Sequence, residues 1–527
     1  MNISSAADLE AQVRNLIRDG KLREAASACD QLNQQFPEYG PGWYTTSRLA
    51  LMVKEPLVAL QAIQRAVEIS PNQPEWLLQR IECVGKAGDP EVATALAKQL
   101  ADHVFDTPMH AAQFGKILRY LGLFEDAKRH YLRACELNPD ASQHYFNLAA
   151  VLHSLGEADA ARRAVDRCLE INPDEPNAHL LRANLRTKSE ADNNVAALET
   201  AYARAADRPN DRVRLSFALA KELEDLGNFR RSFEVLAEGN ALRRQGINYD
   251  LKRDLDKIYA IRDAYSAEQF ERDIVGHINA EPIFVIGLPR TGVTLVERVL
   301  ESHSVVTTYG ETMTLPQKII DHCMRLPDMP AASSAELASK SLSVDYAALG
   351  EDYIAAARPA TSVMAHFVDA QPLNFMYMGF IRLALPKARM VLLQRDPMDT
   401  CYAIFRTLFA NGHPYSNNLE ELAHYLVAYR KLTDHWLQVI PEAIHVVKFE
   451  QLLSDPRPVI EDLLEYCSLS FEDSCVGYFD ASGAATNSVA AQTNRAFSRA
   501  SIGSWKNYAE QLQPVADILA EAGLLAE

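Results

Sequence analysis

At 527 residues, with 48% hydrophobic and 23% charged side chains, the chain has the composition of a soluble globular protein and is too long for one ordinary domain. A formal charge of −17 argues against a general nucleic-acid binder, while leaving room for a local basic pocket that takes an anion. Eight cysteines are scattered singly with no C-x-x-C pair, which gives no support to a zinc or redox motif and fits a reducing, cytoplasmic setting. The opening residues, MNISSAADLEAQVRNLIRDG, carry acids and already run at helical period, so no signal peptide is expected there. No apolar run reaches the length of a membrane span.

The first half repeats itself. Pro37 and Pro71 stand 34 residues apart, as do Pro139 and Pro173, and Gly88, Gly122 and Gly156 form a ladder at the same step. From His144 to Pro173 the unit is a first helix with Leu148 and Leu152, a Leu155-Gly156 turn, and a second helix with Ala160, Ala164 and Leu169. The preceding unit, Ala111 to Pro139, repeats it with Leu118, Leu121-Gly122, Ala127 and Ala134. That period and pattern match the tetratricopeptide helix–turn–helix repeat, in which each unit buries its apolar face on its neighbour. About seven units are expected between Ala6 and Arg244, the sixth irregular around Ser189 to Asp192 and the last a closing unit. Residues 1–245 therefore read as an all-α solenoid. It offers either a concave surface for an extended peptide or protein partner, or a plain scaffold or dimerisation arm, and no side chain in it looks catalytic. Residues 246–281 are charged and helical in pattern, without runs of Gly, Ser or Pro, and are expected to form a connecting helix pair.

From Pro282 the pattern changes. Ile283 to Ile286 is a short apolar run bounded by Gly287 and Pro289, as a buried parallel strand would be, and helical spacing begins at Thr294. Between them lies Gly287-Leu288-Pro289-Arg290-Thr291-Gly292-Val293-Thr294. Its two glycines sit five apart, as in the loop G-x-x-x-x-G-K-[ST], but Val293 stands where the lysine would be. A loop feeding a helix N-terminus suits a phosphate, and Arg290 adds a forked cation. Without the lysine, and with no convincing magnesium-binding aspartate on a second strand, nucleoside triphosphate hydrolysis is disfavoured. Glu311, one loop beyond the following helix, reads from position alone as a cap or surface acid rather than a base. Met390 to Leu393 is a second apolar strand, with Arg395 at its C-terminal end, where open α/β sheets bind ligands. His445 to Glu450 reads as a third strand, and Arg499 to Tyr508 combines cations with Trp505.

These residues resemble a known family. The second half is similar to sulfotransferase domains. The whole chain resembles bacterial tetratricopeptide-repeat sulfotransferases, whose catalytic part is similar to tyrosylprotein sulfotransferases. The resemblance is most specific at GLPRTGVTL (287–295), GET (310–312), 371–400 and SIGSWKNY (501–508). It implies an α/β, P-loop-like domain over 282–527 with a mostly parallel sheet. The implied donor is 3′-phosphoadenosine 5′-phosphosulfate (PAPS), leaving 3′,5′-diphosphoadenosine (PAP), and no metal is required. Arg290, Thr291, Gly292, Val293 and Thr294 would line its 5′-phosphosulfate. Arg395 would take the 3′-phosphate beside Ala403, and Trp505 and Lys506 would close on the nucleotide. Glu311 falls where related enzymes carry the general base. The acceptor would present a hydroxyl on a peptide, glycan or small molecule, and neither nucleic acid nor a membrane is expected as a partner.

Three positions depart from the family pattern. Val293 replaces a threonine, Ala370 replaces the lysine of D-K-x-P, and Ala403 stands where a serine commonly meets the nucleotide. Loss of a lysine that neutralises the transferring group costs on the order of 100-fold in rate, by analogy with removal of one transition-state donor. His366 and Lys387 are the candidates to compensate. The rival reading is a catalytically degenerate relative that works as a repeat-scaffold binding partner. The loops 326–358 and 411–418, expected to line the acceptor site, carry no readable motif.

Overall fold

From Ala6 to Gln245 the chain is a run of seven helical hairpins, the first Ala6–Arg18 with Leu22–Gln35 and the last Pro209–Asp225 with Phe229–Gln245. The computed structural model describes residues 5–271, 275–308, 310–327, 333–358, 364–410, 412–480 and 499–525. Tyr309 and parts of the 326–358 and 411–418 loops lie outside them. The 34-residue step is written into the packing. Ala25, Ala59, Ala93, Ala127 and Ala161 recur at that interval, and each is fully buried, at 0% exposure. A methyl group at this position lets the two helices of a hairpin lie close. The turns follow the same ladder. Gly122 takes a left-handed φ of 75°, and Leu123 N–H returns to Leu118 O at 2.9 Å, closing the first helix. Gly20, Gly88 and Gly156 share that backbone, and Lys54 fills the second rung with φ 64°. A ladder seen only as glycines misses that rung.

The sixth hairpin, Pro176–Leu185 with Val195–Arg204, is irregular because polar anchors replace its tight turn. Glu222 accepts from Asn194 N–H at 2.6 Å and Asn194 Nδ2 at 3.0 Å, and pairs with buried Lys188 at 3.7 Å. Lys188 N–H in turn donates to Asp225 at 2.8 Å.

The chain forms two compact units, Met1–Ala178 and His179–Glu527. Within the second, Val213, Phe217 and Leu236 of the closing hairpin share one apolar cluster with Phe284 and Ile286 of the sheet. The boundary at 245/246, drawn from repeat period, falls inside this continuous core. The connector is one α-helix, Leu251–Ala264, and a 3₁₀ turn, Ala267–Gln269, in place of the expected helix pair. Residues 275–281 run without helix because they lie against other backbone. A Cβ on Gly276 would stand 2.3 Å from Leu383 O, and His277 N–H donates to Ala384 O at 2.8 Å.

Among the described residues five strands form one all-parallel sheet: β1 Pro282–Ile286, β2 Val306–Thr308, β3 His366–Asp369, β4 Arg389–Gln394 and β5 Ile444–Lys448, in the order β2-β3-β1-β4-β5. All five residues of β1 are buried, and they alternate between the two faces. Ile283 and Val285 enter one apolar cluster, Phe284 and Ile286 the other, as a parallel sheet covered on both sides requires. Among the described residues no helix is long and apolar enough to cross a membrane.

Candidate functional site

The strand order sets the location. From β1 the chain moves to β2 and β3 on one side, then crosses to β4 and β5 on the other. Such a reversal opens a crevice above the C-terminal end of the central strand, the usual ligand site of open α/β sheets.

The loop leaving β1 is built by close contacts. A Cβ on Gly287 would stand 2.6 Å from Thr291 Oγ1, and Thr291 donates that hydroxyl to Leu288 O at 2.7 Å. Thr291 is 3% exposed, so its hydroxyl serves the loop's own shape. Arg290 and Gly292 both take left-handed backbone, φ 69° and 108°. A Cβ at Gly292 would also meet Phe449 Cδ2 at 2.8 Å, which leaves glycine as the residue that fits. The helix Val293–Glu301 starts immediately after. Its first N–H groups have no acceptor within the helix, and its dipole places positive charge at the loop. Val293 is buried in the apolar cluster with Val285 and Leu295, while Thr294 is half-buried beside it.

Arg395 spans this edge, and the charge of Arg406 is felt at both Arg395 and Arg290. Arg395, 8% exposed, donates from Nη1 to Arg290 O at 2.7 Å and from Nη2 to Ser501 O at 3.0 Å. Its guanidinium also lies 4.5 Å from the Phe449 ring centroid. One side chain thus clasps the 287–292 loop to the 499–508 segment. Its Nε–H is buried and has no hydrogen-bond partner among the described residues. Burial, then the charges of Arg406 and Arg395, bring the pKa of Arg290 down to about 10. Burial lowers Arg395 as well, against the pull of Asp399 and Glu450. Cations held together in this way mark a place where an anion is favoured. A cavity of about 90 Å³ adjoins Arg395, lined also by Thr291, Gln394, Thr400, Tyr429 and Arg430 among others.

The 499–508 segment is two short 3₁₀ turns, Arg499–Ser501 and Ser504–Tyr508. Asp399, in the first turn of the helix Pro397–Phe405, fixes the second of them. Its carboxylate accepts from Gly503 N–H at 2.5 Å, Trp505 N–H at 3.2 Å and Ser504 Oγ at 3.4 Å. Trp505 is half-buried against the larger core, and Lys506 is exposed. Ala403 is half-buried one helical turn beyond Asp399.

Glu311 lies on the neighbouring loop and is exposed as a residue. Its carboxyl is nevertheless held above the ordinary range, first by partial desolvation and then by the charge of Glu297. Glu297 is itself buried and accepts from Thr308 Oγ1. Gln371 Nε2 donates to Thr312 O at 3.1 Å and so tethers the Glu311 loop to the end of β3. Beside it, burial pushes Asp369 up to about 6, against hydrogen bonds from Tyr353 Oη (2.9 Å), Asn374 Nδ2 (2.9 Å) and Gln371 N–H (3.2 Å). Ala370 is 0% exposed and belongs to the same apolar cluster as Val293.

Of the residues singled out in the sequence, direct contacts bring Arg290, Arg395 and the Trp505 segment together. Glu311 arrives on a separately tethered loop. His366 opens β3 and Lys387 precedes β4, so both lie at the N-terminal edge of a parallel sheet, opposite the crevice, and neither replaces a group lost at Ala370. Sequence reasoning missed Asp399, Gln371 and Phe449. Only Asp399 left a trace, as an acid four residues after Arg395 in a first helical turn.

A family model described as "Sulfotransferase family" matches residues 282–473, and one described as "Tetratricopeptide repeat" matches 113–176. An uncharacterized protein of Aquifex aeolicus (strain VF5) is 30% identical over 353 residues, which is 66% of this chain and 46% of that protein. The chain thus spans about half the length of this curated relative. Among solved structures, YrrB, a TPR protein with an unusual peptide-binding site, is 15% identical with a TM-score of 0.27, covering 34% of this chain and 91% of its own. The type IV pilus biogenesis factor PilW is 15% identical with a TM-score of 0.32, covering 45% and 92%.

Proposed function

From a chain that carries tetratricopeptide repeats and a sulfotransferase-family domain, we propose the transfer of a sulfonate group from PAPS to a hydroxyl of a peptide, glycan or small-molecule acceptor. The observation that carries this reading is the clasp at the crevice, where Arg395 joins the Arg290 loop to the Trp505 segment in direct contact. PAPS supplies an activated sulfonate and leaves as PAP. Arg290, Arg395 and the N-terminus of the helix Val293–Glu301 would hold its phosphates and take up charge developing there. The N–H groups of Gly292, Val293 and Thr294 offer that contact through backbone, whatever side chain stands at 293. Trp505 and Lys506 would cover the nucleotide. Glu311 would accept the proton of the acceptor hydroxyl, and a carboxyl raised above its ordinary range is the stronger base for that step. The repeat array would hold a protein or peptide partner.

A second reading, a degenerate relative acting as a scaffold, is favoured by one observation. Ala370 and Val293 are buried in a single apolar cluster, so neither side chain presents a polar group to a sulfonate. Calorimetric titration of the full chain with PAP, and with ATP in parallel, tests the first reading. Micromolar binding of PAP and none of ATP is expected, and no binding of either overturns it.

A further inference from the structure

The helix that follows β4 takes contacts from outside the α/β part of the chain. Glu224 lies in the last turn of Pro209–Asp225, the first helix of the closing hairpin, with its side chain 17% exposed. Its Oε1 accepts from Arg406 Nη1 at 2.8 Å and from Tyr402 Oη at 2.9 Å. Both partners belong to the helix Pro397–Phe405 and its C-terminal cap. On that helix Asp399, Ala403 and Arg406 recur at i, i+4 and i+7, which puts them on one face.

At its N-terminal end that face meets the 499–508 segment. Asp399 holds the Ser504–Tyr508 turn, and the Tyr402 ring lies 4.5 Å from Tyr508 on the same turn. The charge of Arg406 is felt at both Arg290 and Arg395. Arg406 keeps 39% of its side-chain surface open, so a guanidinium with five donors has some left beyond those turned to Glu224 and Tyr402. The same hairpin grips the helix again further on, where Asn240 Nδ2 donates to Phe405 O at 3.1 Å.

We propose that Glu224 is a positioning residue of the nucleotide site: from the closing repeat hairpin it aims the Arg406 guanidinium at the phosphate-binding edge, where Ala403 supplies no hydroxyl. The proposal rests on the reading above that this edge takes a phosphorylated nucleotide. It gives the last repeat unit a part in ligand recognition that its helical pattern does not announce.

A double-mutant cycle read by PAP titration of the full chain tests it. Glu224→Gln keeps an oxygen for Tyr402 but gives up the charge, and should weaken PAP about tenfold, within the range of one charge-assisted hydrogen bond. Arg406→Ala should weaken it similarly, and the double variant no further than Arg406→Ala alone. A residue that only stitches two helices together would lower Tm and leave PAP affinity as it is, or would add its full cost in both backgrounds. Either result overturns the proposal. Arg406→Lys leaves the hairpin pair in place and guards against an unfolded Glu224 variant, and wild-type PAP affinity in it also overturns the assignment. Absence of PAP binding by the wild-type chain removes the nucleotide reading and this proposal together. Binding by the wild type with Glu224→Gln unchanged removes this proposal alone.

Discussion

The two compact units keep their buried polar groups in different places. Among the described residues of Met1–Ala178 they are Glu10, Asn33, Thr45, Ser47, Gln79 and His130, spread along the array and, Asn33 Oδ1 apart, bonded to near packing neighbours. Tyr39 donates to Glu10 at 2.8 Å, for example, and His130 meets Ala101 O at 2.9 Å. In His179–Glu527 others, Lys188, Glu222, His303 and Thr433 among them, are spread through the unit as well, but Asp369, Gln371, Asn374, Arg395, Asp399 and Thr400 gather at the ends of β3 and β4. Burying charge is costly unless each group is paired, and a fold seeking only stability has little reason to pool it. The array is held by repetition of one small-residue contact. The sheet edge concentrates unlike groups, and such a concentration is what a binding site needs.

If that contrast is functional, the largest effect should come from one exposed carboxyl at the sheet edge. Glu311→Gln should lower turnover on the order of 1000-fold while PAP affinity stays at the wild-type value. A parallel loss of PAP binding in that variant would mean that Glu311 shapes the site instead of reacting in it. The next effect is on stability. Asp369, raised from 3.8 to about 6, binds its proton more tightly in the fold than in the unfolded chain. Its contribution to stability therefore falls as pH rises between about 4 and 6, and it stays unfavourable above that. By linkage the shift is worth about 3 kcal/mol, so Asp369→Asn should gain roughly that much on the wild type between pH 4 and pH 7. Denaturant titrations at the two pH values read it directly, and parallel profiles would show an ordinary carboxyl there.

The smallest effect sharpens the contrast most. Gly292→Ala and Gly122→Ala both place a methyl group on left-handed backbone, at φ 108° and 75°. At Gly292 the new Cβ also stands 2.8 Å from Phe449, whereas at Gly122 nothing lies within 4 Å. Gly292→Ala should cost about 2–3 kcal/mol and Gly122→Ala about 1 kcal/mol, measured by thermal unfolding of each variant. Equal costs would mean that the sheet-edge loop is no more tightly built than a repeat turn.

Much of this was legible in the chain itself. A short apolar run closed by Gly287 and Pro289 announces β1 and its loop, because a buried parallel strand needs that composition. The repeat showed through its glycines and alanines, since helix pairing admits few alternatives there. Lys54 escaped notice because left-handed backbone is a property of conformation, not of composition. Asp399 and Gln371 escaped because their partners, Gly503 and Thr312, lie far along the sequence. The expected connector helix failed at Gly276, which is pressed against carbonyls more than a hundred residues away. His366 and Lys387 looked available only while strand direction was left out of account.

The position of β1 at the centre of the sheet also governs the order in which the protein can assemble. The nearer of its two partners, Phe367 in register with Pro282, follows about 85 residues later in the chain, and Arg389, opposite Ile283, about a hundred later. At roughly 5–20 residues per second of synthesis, the strand Pro282–Ile286 waits on the order of 4–20 s with all its apolar side chains unpaired. The helical hairpins close meanwhile through contacts between near neighbours. The nascent chain therefore carries an array closed but for its last hairpin, which shares the core of the sheet, and a bare apolar strand where aggregation would start.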